Sequence, residues 1–172
     1  MTAALTLDPA RDTARFLAAM ASFPSGVTII TTSVEGRLSG TTVSAFSSLS
    51  LSPPLVLVCL ATSSRTLGAV IASGRFCVNI LGAGQEDLAY AFARSGTEAQ
   101  AAARFDGVAF DLAPDGSPVL RNCAATLQCR LGERLPGGDH DILIGRPRQI
   151  HVDPDLAPLV HGRGRLSHLP PA

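Results

Sequence analysis

A short polar stretch at residues 63–66, "SSRT", has the residue types that bind anions. It follows the apolar run 55–60, which is typical of a buried strand, and it precedes Leu67, Val70 and Ile71, which are spaced as one face of a short helix. The N-terminus of a helix presents unpaired backbone N–H groups and the positive end of the helix dipole. Three hydroxyls and a guanidinium at such a terminus can bind a phosphate group.

Helix capping is the alternative explanation of the same corner. Either Ser64 or Thr66 could bond the first N–H groups of the helix and leave Arg65 in solvent. A P-loop is excluded, because the pattern G-x-x-x-x-G-K-[ST] is absent. The corner by itself supports phosphate binding and capping about equally.

A second stretch rich in small hydroxyl residues, "GTTVSAFSSLSLSPP", spans residues 40–54. Small side chains let a flat ligand approach the backbone, and the amide groups of residues 42–45 could bond the edge of a heteroaromatic ring. An exposed edge strand rich in Thr and Ser is the alternative. A nearby phosphate corner favours the ligand-binding interpretation.

Composition limits the classes of protein that the chain can belong to. Its 172 residues suit one domain, 46% of them are hydrophobic, and the 14 Lys and Arg balance the 14 Asp and Glu, so no basic excess points to nucleic acid. The longest apolar run is too short to span a bilayer. Because charged residues interrupt the N-terminal region where a signal peptide would be apolar, we expect a cytoplasmic protein without a membrane or nucleic-acid partner.

The four cysteines fall in or beside apolar, strand-like runs. They are Cys59, Cys77, Cys123 and Cys129, and neither a C-x-x-C pair nor a zinc-like spacing with histidine occurs. We expect buried, reduced thiols and no metal site.

Strand patterns outnumber helix patterns along the chain. Hydrophobic spacing predicts helices over residues 11–23, 66–73 and 85–94, and strands over residues 27–33, 38–50, 55–61, 76–81, 126–131, 142–152 and 159–169. Residues 95–118 are expected to be mostly loop, and Pro147 suggests a bulge or an edge strand. Most strands are too close together for a regular βαβ series, so a mostly antiparallel barrel with a few packed helices is predicted.

The order of several motifs resembles the flavin reductase family. The motifs are "FPSGVTIITT", "GTTVSAFSSLSLSPPLVLVCL", "SSRTL", "FCVNIL", "DLAYAFA", "ARFDG", "LQCRL" and "GDHDILIGRP", and they extend over nearly the whole chain, with a core from about residue 16 to residue 169 of a single 1–172 domain. The resemblance implies a mostly β fold, an antiparallel six-stranded split β-barrel of the FMN-binding type, in a homodimer with flavin near the subunit interface.

The resemblance also implies which residues hold the flavin. Thr42, Val43, Ser44 and Ala45 would line the isoalloxazine ring, and Phe92 and Arg94 would approach it from the second helix of the site. The phosphate and ribityl chain would be bound by Ser47, Ser48, Ser63, Ser64, Arg65 and Thr66, and Cys59 is included in the same flavin site.

His140 is a candidate for the nicotinamide site. Between Asp139 and Asp141 an isolated histidine would ordinarily be a surface-turn residue, but the matching family motif places a histidine near the nicotinamide. The chain departs from the family at His161 and Leu166, where relatives often carry aromatic residues, which weakens any nicotinamide contact from this tail. Ser44 stands where relatives often have Asn.

The activity that follows from the resemblance is NAD(P)H-dependent reduction of free flavin. FMN is expected, with FAD possible, and the reduced flavin would pass to a flavin-dependent monooxygenase. No side chain need act as acid or base in hydride transfer, which suits a sequence without a convincing catalytic dyad. A Rossmann dehydrogenase is disfavoured because its glycine fingerprint is missing. An FMN-binding storage or sensing protein is the alternative that the sequence separates poorly from a reductase.

Overall fold

The computed structural model describes residues 9–169, apart from the side chains of residues 9–11 and 98. Its helices are α1 (Pro9–Ala21), α2 (Arg65–Ser73), α3 (Glu86–Ala93) and α4 (Glu98–Ala102), the last followed by a 3₁₀ turn at Ala103–Phe105. Its strands are β1 (Ser25–Gly26), β2 (Thr28–Val34), β3 (Arg37–Val43), β4 (Phe46–Leu51), β5 (Pro54–Ala61), β6 (Arg75–Leu81), β7 (Phe110–Leu112), β8 (Pro118–Leu120), β9 (Cys123–Gly137), β10 (His140–Val152), β11 (Leu159–Gly162) and β12 (Arg165–His168).

One large antiparallel sheet dominates the fold. Seven strands pair in the order β3-β2-β6-β9-β10-β5-β4, while β1, β11 and β12 form a small sheet and β7 pairs with β8. The predicted mostly β class with a few helices is therefore confirmed. The main sheet has seven strands, whereas the family resemblance implied six. Residues 38–50, predicted as one strand, form two strands that lie at opposite edges of this sheet.

A bend at Ser44 and Ala45 separates these two strands. Val43 is buried and Phe46 packs against the same hydrophobic cluster, although the two residues are three positions apart. Side chains of a regular strand alternate between faces, so residues an odd number apart cannot share one face. Burying both side chains therefore requires an irregular backbone between them.

The core lies on both faces of the sheet. Ile29 and Ile30 are adjacent on β2 and both completely buried, yet they belong to two different clusters. One cluster includes residues of β5 and α2, and the other includes residues of α3 and the small sheet. β2 therefore carries a continuous buried run, as strands covered on both faces do.

Two predicted segments were wrong in detail. Residues 95–118 contain α4 and the β7–β8 hairpin instead of mostly loop. α4 begins at a reciprocal capping box, in which the Thr97 hydroxyl accepts from the Gln100 amide and the Gln100 side chain accepts from the Thr97 amide. Residues 159–169 form the β11–β12 hairpin, because Arg163 and Gly164 both have positive φ and turn the chain back.

Other predictions of local structure were confirmed. α2, α3, β5 and β6 lie within a residue of their predicted bounds. The register of β10 shifts between Pro147 and Gln149, as the proline suggested. No helix within residues 9–169 combines the length and the apolar character needed to cross a membrane.

Candidate functional site

A small open cleft forms where the β3–β4 bend meets the ends of β5 and β10 and the start of α2. Its volume is about 220 Å³, and its lining residues are Thr41, Thr42, Val43, Ser44, Ala45, Cys59, Leu60, Ala61, Ser64 and His140. The structure thus brings together seven of the residues that the sequence assigned to flavin and nicotinamide, although they come from four separate elements.

Hydrogen bonds hold the bend that forms one wall of the cleft. The Cys59 amide donates to the Ala45 carbonyl at 2.9 Å and ties the bend to β5. The Thr42 hydroxyl donates to the Ala89 carbonyl of α3 at 2.7 Å, so this side chain anchors β3 to the helix. Ser44 and Ala45 are exposed. A flat ligand would therefore meet small side chains and backbone at a fixed wall.

The N-terminus of α2 lies beside this wall. Ser64 occupies the N-cap position, but its hydroxyl makes no capping hydrogen bond. The Thr66 hydroxyl lies 3.1 Å from that of Ser39 and is buried. The first turn of α2 carries no acidic residue to balance the helix dipole. Ser64 therefore does not serve as a side-chain cap, and the helix end faces the cleft with its positive pole.

Two arginines extend the positive charge at this end of α2. The Arg65 guanidinium donates to the Thr97 carbonyl at 3.1 Å. Arg104, from the 3₁₀ turn, donates to the Gly40 carbonyl of β3 at 3.2 Å and to the Arg94 carbonyl. Partial burial, followed by the nearby charge of Arg65, lowers the pKa of Arg104. Within the described part of the chain neither guanidinium forms an ion pair, so both can balance a bound anion.

Arg104 was not among the candidate residues predicted from sequence, although its charge lies close to that of Arg65. It lies in the motif "ARFDG", which was used to recognise the family, and it is 39 positions from Arg65 in a segment expected to be loop. α4 and the 3₁₀ turn fold this segment back against β3, which places Arg104 near the phosphate corner.

The remaining predicted flavin residues lie outside the cleft lining. Ser47 and Ser48 are exposed on β4, Ser63 is exposed at the corner, and Arg94 ends α3. Phe92 is completely buried, with its ring edge-to-face against Phe105 at a centroid distance of 5.0 Å. Phe92 therefore supports β3 from the protein interior, where it faces Gly40 rather than the cleft.

His140 begins β10 opposite Ala61 of β5 and lines the cleft. Its side chain is half-exposed, and its Nδ1 lies 2.8 Å from the Asp139 carboxylate. The hydrogen bond and charge of His140 lower the pKa of Asp139. The next residue, Asp141, is buried and accepts from Arg134 of β9 at 2.7 Å. This pair fixes the start of β10 and with it the position of His140.

The four thiols differ sharply in their environments. Cys59 is partly exposed in the cleft, while Cys77, Cys123 and Cys129 are buried. Burial raises the pKa of Cys123 and of Cys129 to about 12, and it raises that of Cys77 further. Within residues 9–169 no group of three metal-binding side chains is close enough to hold an ion.

We expect a thiol reagent such as N-ethylmaleimide to modify Cys59 first in the folded protein. The other thiols are buried and almost fully protonated at pH 8, where the reactive thiolate is scarce. Peptide mass spectrometry measures the site, and saturating FMN should slow the reaction if the cleft holds the flavin. Faster labelling of Cys123 or Cys129 than of Cys59, or labelling indifferent to FMN, would contradict this assignment.

The fold and this cleft define a flavin reductase domain, and comparison with known proteins gives the same result. A family model described as "Flavin reductase like domain" matches residues 20–170. The chain belongs to this family.

Individual relatives agree with the family match. The chain is 35% identical over 160 residues, 93% of its length and 80% of the relative, to the flavin-dependent monooxygenase reductase subunit HsaB of Rhodococcus jostii. It is 40% identical over 129 residues to a "Probable flavin reductase" of Rhizobium meliloti, covering 74% of this chain but only 40% of that longer protein. Among solved structures, the NADH:FAD oxidoreductase SgcE6 of Streptomyces globisporus, in complex with NAD and FAD fragments, superposes with a TM-score of 0.87 at 31% identity, covering 98% of both chains.

Proposed function

We propose that this protein uses NAD(P)H to reduce a flavin that binds in the cleft. One combination of features carries the proposal. The β3–β4 bend forms a wall of small residues, and the N-terminus of α2 beside it has no side-chain cap. Two arginines near this helix end form no ion pair within the described residues. A ring with a phosphate-bearing tail fits this combination. Similarity to a monooxygenase reductase subunit and to an NADH:FAD oxidoreductase supports it.

Each part of the site has a distinct task in this proposal. The bend presents backbone and small side chains to the ring, and Thr42 and Cys59 keep the bend in place. Ser64, Arg65 and the α2 N-terminus bind the phosphate, with Arg104 adding charge. When bound, the nicotinamide would supply a hydride and the flavin would accept it, so the chain needs only to orient the two rings.

We infer that His140, which lines the cleft, borders the nicotinamide. Replacing it by alanine should slow flavin reduction or raise the NAD(P)H concentration required, while flavin affinity changes little, because in this proposal His140 contacts the nicotinamide rather than the flavin. Stopped-flow measurement of flavin reduction at several NAD(P)H concentrations separates these effects. Unchanged rates at every concentration would return His140 to the role of a surface-turn residue.

A homodimer is the assembly that we infer for this function. The strands β4 and β10, on either side of β5, expose the apolar residues Leu49, Leu51, Ile150 and Val152. The cleft is also smaller than the roughly 300–1,000 Å³ of typical ligand sites, as expected if a second copy supplies another wall. Light scattering after gel filtration should give twice the chain mass of 17.8 kDa. A monomer that reduces flavin at the full rate would contradict the inference.

We further propose that the reduced flavin serves a flavin-dependent monooxygenase. Similarity to HsaB, the reductase subunit of such an enzyme, supports this partner class. The test of the reductase activity itself is NADH or NADPH oxidation in air by the purified protein with and without added FMN. Oxidation that requires both protein and flavin is expected. Flavin binding without oxidation would favour a storage or sensing protein instead.

A further inference from the structure

The turn of the β9–β10 hairpin places His140 beside the cleft. Gly138 has a φ of 73°, which this tight turn requires, and His140 is the first residue of β10. It pairs with Gly137 of β9 on one side and with Ala61, the last residue of β5, on the other. Because strand pairs open most readily at their ends, the position of His140 depends on the contacts that its neighbours in the chain make.

Thr62 holds the residue before His140. Its amide donates to the Asp139 carbonyl at 2.9 Å, and its hydroxyl donates to the same oxygen at 3.1 Å. Thr62 directly follows the end of β5, so these bonds extend the pairing of β5 with β10 by one residue. The hairpin turn is therefore fixed to the strand whose last residues, Leu60 and Ala61, line the cleft.

Arg134 of β9 holds the residue after His140. Its Nε and Nη2 each lie 2.7 Å from one carboxylate oxygen of Asp141. Asp141 is only 4% exposed, and it lies on the same side of β10 as the buried Leu143, which is opposite Arg134 in the ladder. A buried carboxylate needs a cation beside it, so this ion pair determines where β10 can begin.

We propose that Thr62 and Arg134 are positioning residues for the nicotinamide, because they hold the residues on either side of His140. This inference rests on the proposed function, in which His140 borders the nicotinamide. Thr62, Arg134 and Asp141 do not line the cleft, so they act on a ligand there through His140. The β3–β4 bend is held by separate hydrogen bonds, so flavin binding should depend little on these contacts.

Two variants separate positioning by Arg134 from direct binding of NADH by its guanidinium. Arg134→Leu leaves the Asp141 carboxylate buried without its cation, so the start of β10 has to move toward water. Arg134→Leu/Asp141→Val removes both charges and places an apolar residue beside Leu143. Replacing both members of a buried ion pair by apolar residues is tolerated far better than removing one of them. The double variant should therefore restore the position of His140 without restoring the guanidinium.

Two further variants complete the set. Thr62→Val removes one of the two bonds to the Asp139 carbonyl and keeps the other. It removes a single exposed bond, so it should fold whatever the stability of Arg134→Leu. Arg130→Leu is the matched control, because Arg130 is an exposed residue of the same strand and forms no ion pair within the described residues.

The experiment measures flavin reduction by stopped flow over a range of NADH concentrations, together with equilibrium titration of FMN, in wild type and these variants. Arg134→Leu should raise the NADH concentration for half-maximal reduction about tenfold or more and leave the FMN dissociation constant within about twofold. Thr62→Val should raise that NADH concentration about two- to threefold. The double variant should return to within about threefold of wild type, and Arg130→Leu should match wild type.

Hydrogen exchange followed by mass spectrometry examines the turn without turnover. Peptides that cover residues 137–141 should exchange faster in Arg134→Leu than in wild type, and the double variant should exchange more slowly than Arg134→Leu. Unchanged exchange in Arg134→Leu would overturn the proposal, because the ion pair would not be holding the turn.

The kinetic outcomes that overturn the proposal are distinct. A double variant as impaired as Arg134→Leu would assign the guanidinium to NADH binding. Equal losses for NADH and FMN, or an unchanged NADH requirement in both Thr62→Val and Arg134→Leu, would refute positioning through His140. Each of these results requires an active wild type. A wild type that oxidises no NADH at any flavin concentration would instead refute the proposed function, and this inference with it.

Discussion

Replacing Phe92 by alanine should lower the free energy of unfolding by about 3–5 kcal/mol, the cost of removing a fully buried aromatic ring. The ring is completely buried, packs edge-to-face on Phe105 and lies directly beneath Gly40 of β3. Urea denaturation of the flavin-free protein measures the change. A decrease of this size in the free energy of unfolding identifies Phe92 as a core residue. The family resemblance implied instead that Phe92 contacts the flavin ring.

Tyr90 on the same helix is the matched control, because its side chain is about half-exposed. The variant Tyr90→Ala should stay within about 1 kcal/mol of wild type. If Phe92→Ala were as stable as Tyr90→Ala but bound flavin much more weakly, the placement of Phe92 in the core would be contradicted.

Replacing Arg65 by alanine should weaken FMN binding by about 1.5–3 kcal/mol, or roughly 10- to 150-fold. The guanidinium stands at the first turn of α2 beside the cleft, and a charge-assisted hydrogen bond to a phosphate is lost with it. Isothermal titration of FMN measures the change. Arg65 is exposed, so the fold should tolerate the substitution.

Two controls isolate the phosphate contribution. Riboflavin carries no phosphate, so its affinity should fall much less than that of FMN in the same variant. The variant Arg165→Ala removes an equal charge from β12, in the separate small sheet, and should leave FMN binding unchanged. Equal losses for FMN and riboflavin would remove Arg65 from the phosphate site.

The parts of the site that local patterns encode could be predicted from sequence. Residues 55–61 and 65–73 carry clear strand and helix spacing, so the corner between them and its hydroxyls were placed correctly. The bend at Ser44 and Ala45 was missed, because only the three-dimensional core shows that Val43 and Phe46 pack in one cluster. The six strands that the family resemblance implied did not depend on this bend, and the main sheet has seven.

Long-range placement was harder to predict. Arg104 reaches the site only because α4 and the 3₁₀ turn fold against β3, and the capping box at Thr97 and Gln100 was the local signal for that helix. Leu88 and Phe92 share a helix face, and this spacing predicts that the face is buried. The spacing does not show whether the face packs against protein or against a ligand. Phe92 was therefore assigned to the flavin, whereas the structure buries it in the core.

The central claim is that flavin is a substrate that the protein reduces and releases. The most direct measurement mixes the protein anaerobically with NADH and a tenfold molar excess of the flavin that it binds better, and follows the loss of the flavin absorption band. A cleft that is open and poor in large aromatic side chains should bind flavin with a dissociation constant on the order of micromolar, which allows release on each turnover. If flavin is reduced and released in this way, all of it should be bleached, at a rate proportional to protein concentration. Bleaching that stops after one flavin per protein chain, or that is no faster than without protein, would contradict it.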